Sequence, residues 1–316
     1  MILSSARLRD DIRDQLKERF SEEDFHFYKN MKEAAAELME AEVLITYGED
    51  LTDELIDTAK SLKWIMVISA GLDKMPFIAL EEKNILITNA KGIHKIPMAE
   101  YTISMMLQVS RKSKELLENQ RQHTWDRKVP MTEISRKTIG VLGTGAIGTE
   151  VARLAKAFNM KTIGFNTSGS PVENFDTIVS KEGISKLYEE SDFIVNVLPS
   201  TALTEGFVGA DAFSLMKTSA VLINIGRGTT IVESELIEAL QANKIGHAVL
   251  DVFEKEPLSE KSPLWDMKNV TVTPHLSGIS PQYQERAIEI FSENLKLYRK
   301  EKLSDMINII PYDRGY

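Results

Sequence analysis

One stretch, Thr138 to Gly164 (T-I-G-V-L-G-T-G-A-I-G-T-E-V-A-R-L-A-K-A-F-N-M-K-T-I-G), limits the possible folds more than any other. It opens with β-branched and apolar residues suited to a buried parallel strand. Gly143, Gly145 and Gly148 then form G-x-G-x-x-G. After them Ile147, Val151, Leu154, Ala155 and Phe158 recur at helical intervals, and a second apolar run ending at Phe165 reads as another strand. The glycines therefore sit between a strand and a helix inside one βαβ unit. Gly143 would turn the chain out of the strand. Gly145 would let a pyrophosphate reach the backbone, and Gly148 would let helix and strand pack closely. The free N–H groups of the helix start, including those of Ala146 and Ile147, suit phosphates. The unit predicts a bound dinucleotide.

The end of the second strand bears on which dinucleotide. NAD sites usually place an acid there for the ribose hydroxyls. Here the residues are Asn166, Thr167 and Ser168, with no acid before Glu173. They tolerate a 2′-phosphate, so NADP is favoured over NAD, although no Arg follows closely.

The 316 residues suit two domains, and the 43% apolar share is enough for full cores. A net charge of −9 argues against nucleic acid or an anionic membrane as partner. The absence of cysteine excludes disulfides, thiolate metal sites and thiol catalysis. The opening residues turn charged too early for a secretory signal, and no apolar run approaches a membrane span, so a cytoplasmic protein is expected.

Along the chain, strands are expected near Ile2, Phe25, Val43, Trp64 and Ile85, alternating with helices at 8–20, 32–41 and 52–61. This pattern predicts a first domain with a parallel sheet. One long helix is expected from Tyr101 to about Gln122, then a loop carrying Trp125. After the glycine unit, strands are expected near Asp192, Ala220, His247 and Val270, with helices at Ala210 and Glu233 and a long helix from Pro281. A second domain inserted into the first would explain the two long helices flanking it. His26 reads as a packed strand residue, and His123 and His247 show no partner. No histidine spacing suggests a metal site.

Three ionisable residues lie just past strands of the second domain: Arg227 after I-N-I-G, Glu256 after L-D-V-F-E-K, and His275 after V-T-P. Carboxyl ends of parallel strands are where ligands bind. Taken singly, each has an ordinary structural explanation.

The motifs V-L-G-T-G-A-I-G, I-N-I-G-R-G, L-D-V-F-E-K-E-P-L and T-P-H-L-S-G, in this order, resemble the D-isomer-specific 2-hydroxyacid dehydrogenase family. The resemblance implies an α/β chain of two domains with parallel sheets, Rossmann-like and flavodoxin-like. Residues 98–281 would be the NAD(P)-binding domain, inserted into a discontinuous substrate domain of 1–97 and 282–316. It further implies that Arg227 binds the substrate carboxylate and C2 oxygen. His275 would exchange a proton with that oxygen as general acid and base, and Glu256 would pair with His275. Asp251 maps onto the family's structural acid. Met98, Ala146, Ile147, Leu198, Pro199, Thr204, Ile225, Asp251 and Gly278 become cofactor contacts, with Arg227 and His275. The backbone at Ala70, Gly71 and Leu72 becomes a substrate clamp, and His94 lies where family members approach substrate.

By the same resemblance, the chain would be a homodimer, built through its second domain and the Trp125 loop, that reduces small 2-oxo acids such as glyoxylate or hydroxypyruvate. Alternatives are a dehydrogenase of a larger acid, of the phosphoglycerate or phenylpyruvate type, or a non-catalytic dinucleotide-sensing corepressor. The chain stops soon after Ile310, which counts against a regulated biosynthetic enzyme. The intact Arg–Glu–His set counts against a corepressor.

Overall fold

The structure is a computed structural model, and it describes residues 1–69, 72 and 74–312. Two compact units emerge: Met1–His94 with Ser280–Tyr316, and Lys95–Ile279.

The first unit alternates β1 (Ile2–Ser4), α1 (Asp10–Arg19), β2 (Phe25–Phe27), α2 (Met31–Ala34), β3 (Val43–Thr46), α3 (Asp53–Thr58), β4 (Trp64–Val67), α4 (Phe77–Glu82) and β5 (Leu86–Asn89). Its five strands pair in parallel in the order β2-β1-β3-β4-β5. Strand residues alternate between two cores. Leu3, Leu44, Ile65 and Ile87 face one; Ile2, Val43, Ile45, Trp64 and Met66 face the other. Both sheet faces are thus covered, which explains why these strands read as continuous apolar runs.

The second unit comprises α5 (Lys95–Ser110), α6 (Ser113–Arg121), β6 (Thr138–Leu142), α7 (Ala146–Ala157), β7 (Lys161–Phe165), β8 (Thr177–Val179), α8 (Ile184–Glu190), β9 (Phe193–Asn196), α9 (Ala210–Leu215), β10 (Val221–Asn224), α10 (Glu233–Gln241), β11 (His247–Leu250) and β12 (Val270–Val272). Its seven strands, all parallel, run β12-β11-β10-β9-β6-β7-β8, again with a core on each face. The chain then returns to the first unit as α11 (Tyr283–Arg299). There Phe291 stacks on the fully buried Trp64, with ring centres 5.3 Å apart. The α/β class with two parallel sheets is as expected from the sequence. Among the described residues no helix is long and apolar enough to cross a membrane.

Three expectations need correction. The helix expected over 32–41 is α-helical only at Met31–Ala34 and continues as turns through residue 40. The single helix over 101–122 is two, because Lys112 takes a left-handed conformation (φ 56°) that ends α5. α5 buries a stripe of Ala99, Thr102, Ile103 and Met106, whereas α6 buries no residue, so the two segments have no common buried face to keep them collinear. His26 is not packed away. It lies half-exposed on β2 between two carboxylates, with Nδ1 2.5 Å from Glu37 and Nε2 3.1 Å from Asp24.

Candidate active site

The sheet register of the second unit builds the site. Phe165, Leu142, Asn196, Asn224, Leu250 and Val272 are successive partners across β7, β6, β9, β10, β11 and β12. The loops that begin at Gly143, Val197, Ile225, Asp251 and Thr273 therefore leave from one edge, side by side. From β6 the chain winds to β7 on one side, while β9 lies on the other. That reversal marks the crevice where open α/β sheets bind ligands.

Each glycine of the β6–α7 turn shows its reason. Gly143 has φ 102°, a backbone conformation that side chains disfavour. A Cβ on Gly148 would lie 2.0 Å from the Gly143 carbonyl, so only glycine lets the helix seat there. A Cβ on Gly145 would meet nothing within 4 Å; Gly145 and Ala146 are exposed, and this stretch of backbone stands open at the start of α7. An open backbone at a helix N-terminus fits a diphosphate. Asn166 ties the end of β7 to this turn, its amide donating to Thr144 Oγ1 (3.1 Å) and to the Ser170 carbonyl (3.1 Å). Thr167 and Ser168 remain exposed beside it.

Arg227 is held from below by a buried amide network. Asn196 on β9 donates to Asn224 Oδ1 (2.9 Å) and to Thr230 Oγ1 (2.6 Å). Thr230 and Asn224 both donate to the Arg227 carbonyl, at 2.6 and 3.3 Å. A Cβ on Gly226 would sit 2.6 Å from the Leu198 carbonyl, and one on Gly228 would sit 1.8 Å from the Phe253 backbone. The two glycines of I-N-I-G-R-G thus let neighbouring loops touch the turn, and the Arg227 side chain projects from it, exposed. Leu198 also lies near Gly143, which brings the β9 and β10 loops against the glycine turn. Pro199 and Thr204 close the β9 loop, with the Thr204 hydroxyl donating to the Pro199 carbonyl at 2.6 Å. Ile225 is buried, and Met98 lies on the first turn of α5.

His275 and Glu256 come together although 19 residues separate them. Nδ1 of His275 lies 2.7 Å from Glu256 Oε2, and Glu256 Oε1 accepts the Phe253 N–H at 3.1 Å. Nε2 makes no hydrogen bond among the described residues, and the ring is 54% exposed. His275 holds φ 51°. Asp251 stabilises that turn. It is fully buried, its carboxylate accepts from the N–H groups of Leu276 and Ser277 (2.9 Å each) and from the Thr273 hydroxyl (2.6 Å), and its carbonyl accepts from His275 N–H (2.8 Å). The exposed Asp251 carboxylate needed for direct cofactor contact is absent here; the group serves its own loop. Tyr101 and Thr273, which sequence reading missed, join it, their oxygens 2.6 Å apart. Gly278 follows in the same loop.

In the first unit, Ala70 and Gly71 lie outside the described residues. Leu72 buries its side chain in the core, and its carbonyl accepts from Met75 N–H. The His94 ring stands 5.4 Å from that of Tyr283. Among the described residues no group of three or more His, Asp or Glu could hold a metal ion.

A family model described as the NAD binding domain of D-isomer specific 2-hydroxyacid dehydrogenases matches residues 103–277. D-3-phosphoglycerate dehydrogenase of Methanocaldococcus jannaschii is 34% identical over 284 residues, covering 89% of this chain and 54% of that protein; the chain spans about half the length of that relative. Glyoxylate/hydroxypyruvate reductase B of Escherichia coli is 33% identical over 282 residues, covering 86% of each chain. Among solved structures, a D-isomer specific 2-hydroxyacid dehydrogenase family protein of Aeromonas salmonicida is 31% identical, with a TM-score of 0.85 over 99% of both chains.

Proposed function

The chain belongs to the D-isomer specific 2-hydroxyacid dehydrogenase family, and from that premise we propose that it reduces small 2-oxo acids to D-2-hydroxy acids with NADPH or NADH. The observation that carries this reading is the 2.7 Å contact of His275 with Glu256, which leaves the second ring nitrogen open.

Proton accounting gives His275 its role. A carboxylate only accepts, so the His275 nitrogen facing Glu256 carries hydrogen in either protonation state. The proton that comes and goes is then on Nε2, the exposed nitrogen. Charged, the ring donates it to the C2 oxygen of a 2-oxo acid; neutral, it takes it back in oxidation. Arg227 offers a planar fork to the substrate carboxylate, and the amide network beneath it fixes where that fork begins. The open backbone at Gly145 and Ala146 would hold the diphosphate of the dinucleotide, whose nicotinamide supplies the hydride when bound. Thr167 and Ser168, exposed and without an adjacent acid, favour NADP over NAD. The backbone of residues 70–72 is our candidate for a second grip on the substrate, and residues 98–281 are our candidate for the cofactor domain.

A small acid is the leading candidate and a phosphoglycerate-type acid the alternative, since relatives of both kinds match this chain, at 33% and 34% identity. Trp125, 91% exposed, supports assembly as a homodimer through its loop, in a cytoplasmic enzyme. The test is oxidation of NADPH and of NADH against a panel including glyoxylate, hydroxypyruvate, phenylpyruvate and phosphohydroxypyruvate. Fastest turnover of one of the two small acids with NADPH is expected. Cofactor binding with no turnover across the panel would overturn the reading.

A further inference from the structure

We propose that Tyr101 is a positioning residue for the acid–base group His275, acting through Thr273 and Asp251. The inference rests on the reading above in taking His275 as the group positioned.

The direction of the chain follows from counting protons. The Asp251 carboxylate has none to give. The contact of 2.6 Å between Thr273 Oγ1 and Asp251 Oδ1 therefore uses the single threonine proton. Tyr101 Oη lies 2.6 Å from the same threonine oxygen, so the phenol must be the donor there. The relay reads Tyr101 to Thr273 to Asp251. Burial pushes the Tyr101 phenol up to about 12, so it keeps the proton it has to give. Successive donors of this kind polarise one another.

Its far end is the turn that carries the imidazole. Asp251 collects the N–H groups of Leu276 and Ser277 on its two carboxylate oxygens, and that of His275 on its carbonyl. His275 sits at φ 51°, a conformation that a residue with a side chain holds only where its surroundings over-determine it. The Thr273 hydroxyl supplies a further bond to the carboxylate, and Tyr101 fixes the rotation of that hydroxyl. Packing alone does not call for a phenol, because Tyr101 lies beside the buried stripe of α5 rather than in it and a phenyl ring would fill the same space.

The experiment compares Tyr101→Phe, Thr273→Val, their double variant and Thr273→Ser in the full chain. It measures kcat and KM for the fastest 2-oxo acid of the panel, with thermal melting alongside. Each of the first two is expected to lower kcat by about tenfold, the scale of one lost hydrogen bond, with KM for NADPH within about twofold. The double variant should be no worse than Thr273→Val, because both cut one chain. Thr273→Ser, which keeps the hydroxyl, should retain most of the wild-type kcat. Multiplying losses in the double variant, or wild-type kcat in Tyr101→Phe, would overturn the relay. His275→Ala run in parallel separates the two claims. Full turnover there removes the role of His275 and the relay with it. Lost turnover there, with wild-type kcat in Tyr101→Phe and Thr273→Val, removes the relay alone.

Discussion

A histidine–carboxylate pair in each unit is reached by solvent, and the two are built differently. His26 contacts Glu37 with Nδ1 and Asp24 with Nε2, and the other oxygen of Glu37 accepts the Tyr28 hydroxyl at 2.6 Å. Both ring nitrogens are occupied, and the backbone is ordinary strand. His275 contacts one carboxylate with one nitrogen, at 2.7 Å, and leaves the other nitrogen to solvent. Its backbone is held at positive φ by bonds to a buried aspartate. If His275 is the acid–base group proposed above, a carboxylate beside a histidine is not by itself what marks such a group. The mark would be a carboxylate that takes one nitrogen only, on a turn held firmly enough to aim the other.

The most direct way to break this comparison is to remove each ring in turn. His275→Ala should lower kcat by ~10² or more, the usual contribution of a placed general acid. His26→Ala should leave kcat within about twofold of wild type. Steady-state oxidation of NADPH with the preferred 2-oxo acid measures both. A large loss in His26→Ala, or none in His275→Ala, would mean that the free nitrogen is not the distinguishing feature.

The two pairs also show what a sequence exposes. The glycine unit was legible because its information is local: period, spacing and three close approaches lie within one βαβ turn. The alternation of strands and helices was legible for the same reason. The short elements α4, α8 and β8, of six, seven and three residues, were not read from the sequence. The break at Lys112 lies inside a run with continuous helical propensity. Arg227, Glu256 and His275 were placed at strand ends by pattern, but their roles came from the family resemblance. Their supports were invisible, because Asn196 reaches Asn224 and Thr230 across 28 and 34 residues, and Tyr101 reaches Thr273 across 172. Asp24 and Glu37 lie near His26 in sequence, but no strand pattern tells that a glutamate in the turns after α2 folds back onto it.

A third histidine sharpens the comparison by removing the carboxylate altogether. His247 on β11 has Nε2 3.0 Å from the Thr271 hydroxyl, and burial, with Lys114 and Lys112 adding to it, lowers its pKa from 6.5 to about 4. The folded state therefore binds its proton less readily than the unfolded chain does. Stability should fall as pH drops through 6.5 towards 4, because unfolding then takes up a proton. Between pH 7.5 and 5 the loss from this one group should be on the order of 2 kcal/mol. Urea unfolding of wild type and His247→Gln at several pH values isolates it. The wild type should lose more than the variant on acidification, and a parallel decline in the two would show that His247 does not titrate as its burial requires.

The smallest effect carries the opposite sign, at His26. The hydrogen bond to Glu37 raises its pKa above 6.5, outweighing desolvation, so the folded chain holds the proton more tightly than the unfolded chain. The stabilisation is complete below about pH 6.5 and is lost as pH rises through the raised value. Glu37 sets the acid limit. Its pKa is lowered from 4.5, first by the Tyr28 hydroxyl and then by His26, so its share is lost as pH falls through that lowered value. The pair is therefore strongest between these limits, and its exposure to solvent keeps the gain small and sensitive to salt. His26→Gln should melt no more than about 2 °C below wild type near pH 6, and the gap should close by pH 9. A gap that widens on the alkaline side would show that His26 is held as a neutral ring. It would then resemble His247 rather than the charged pair that its two carboxylates define.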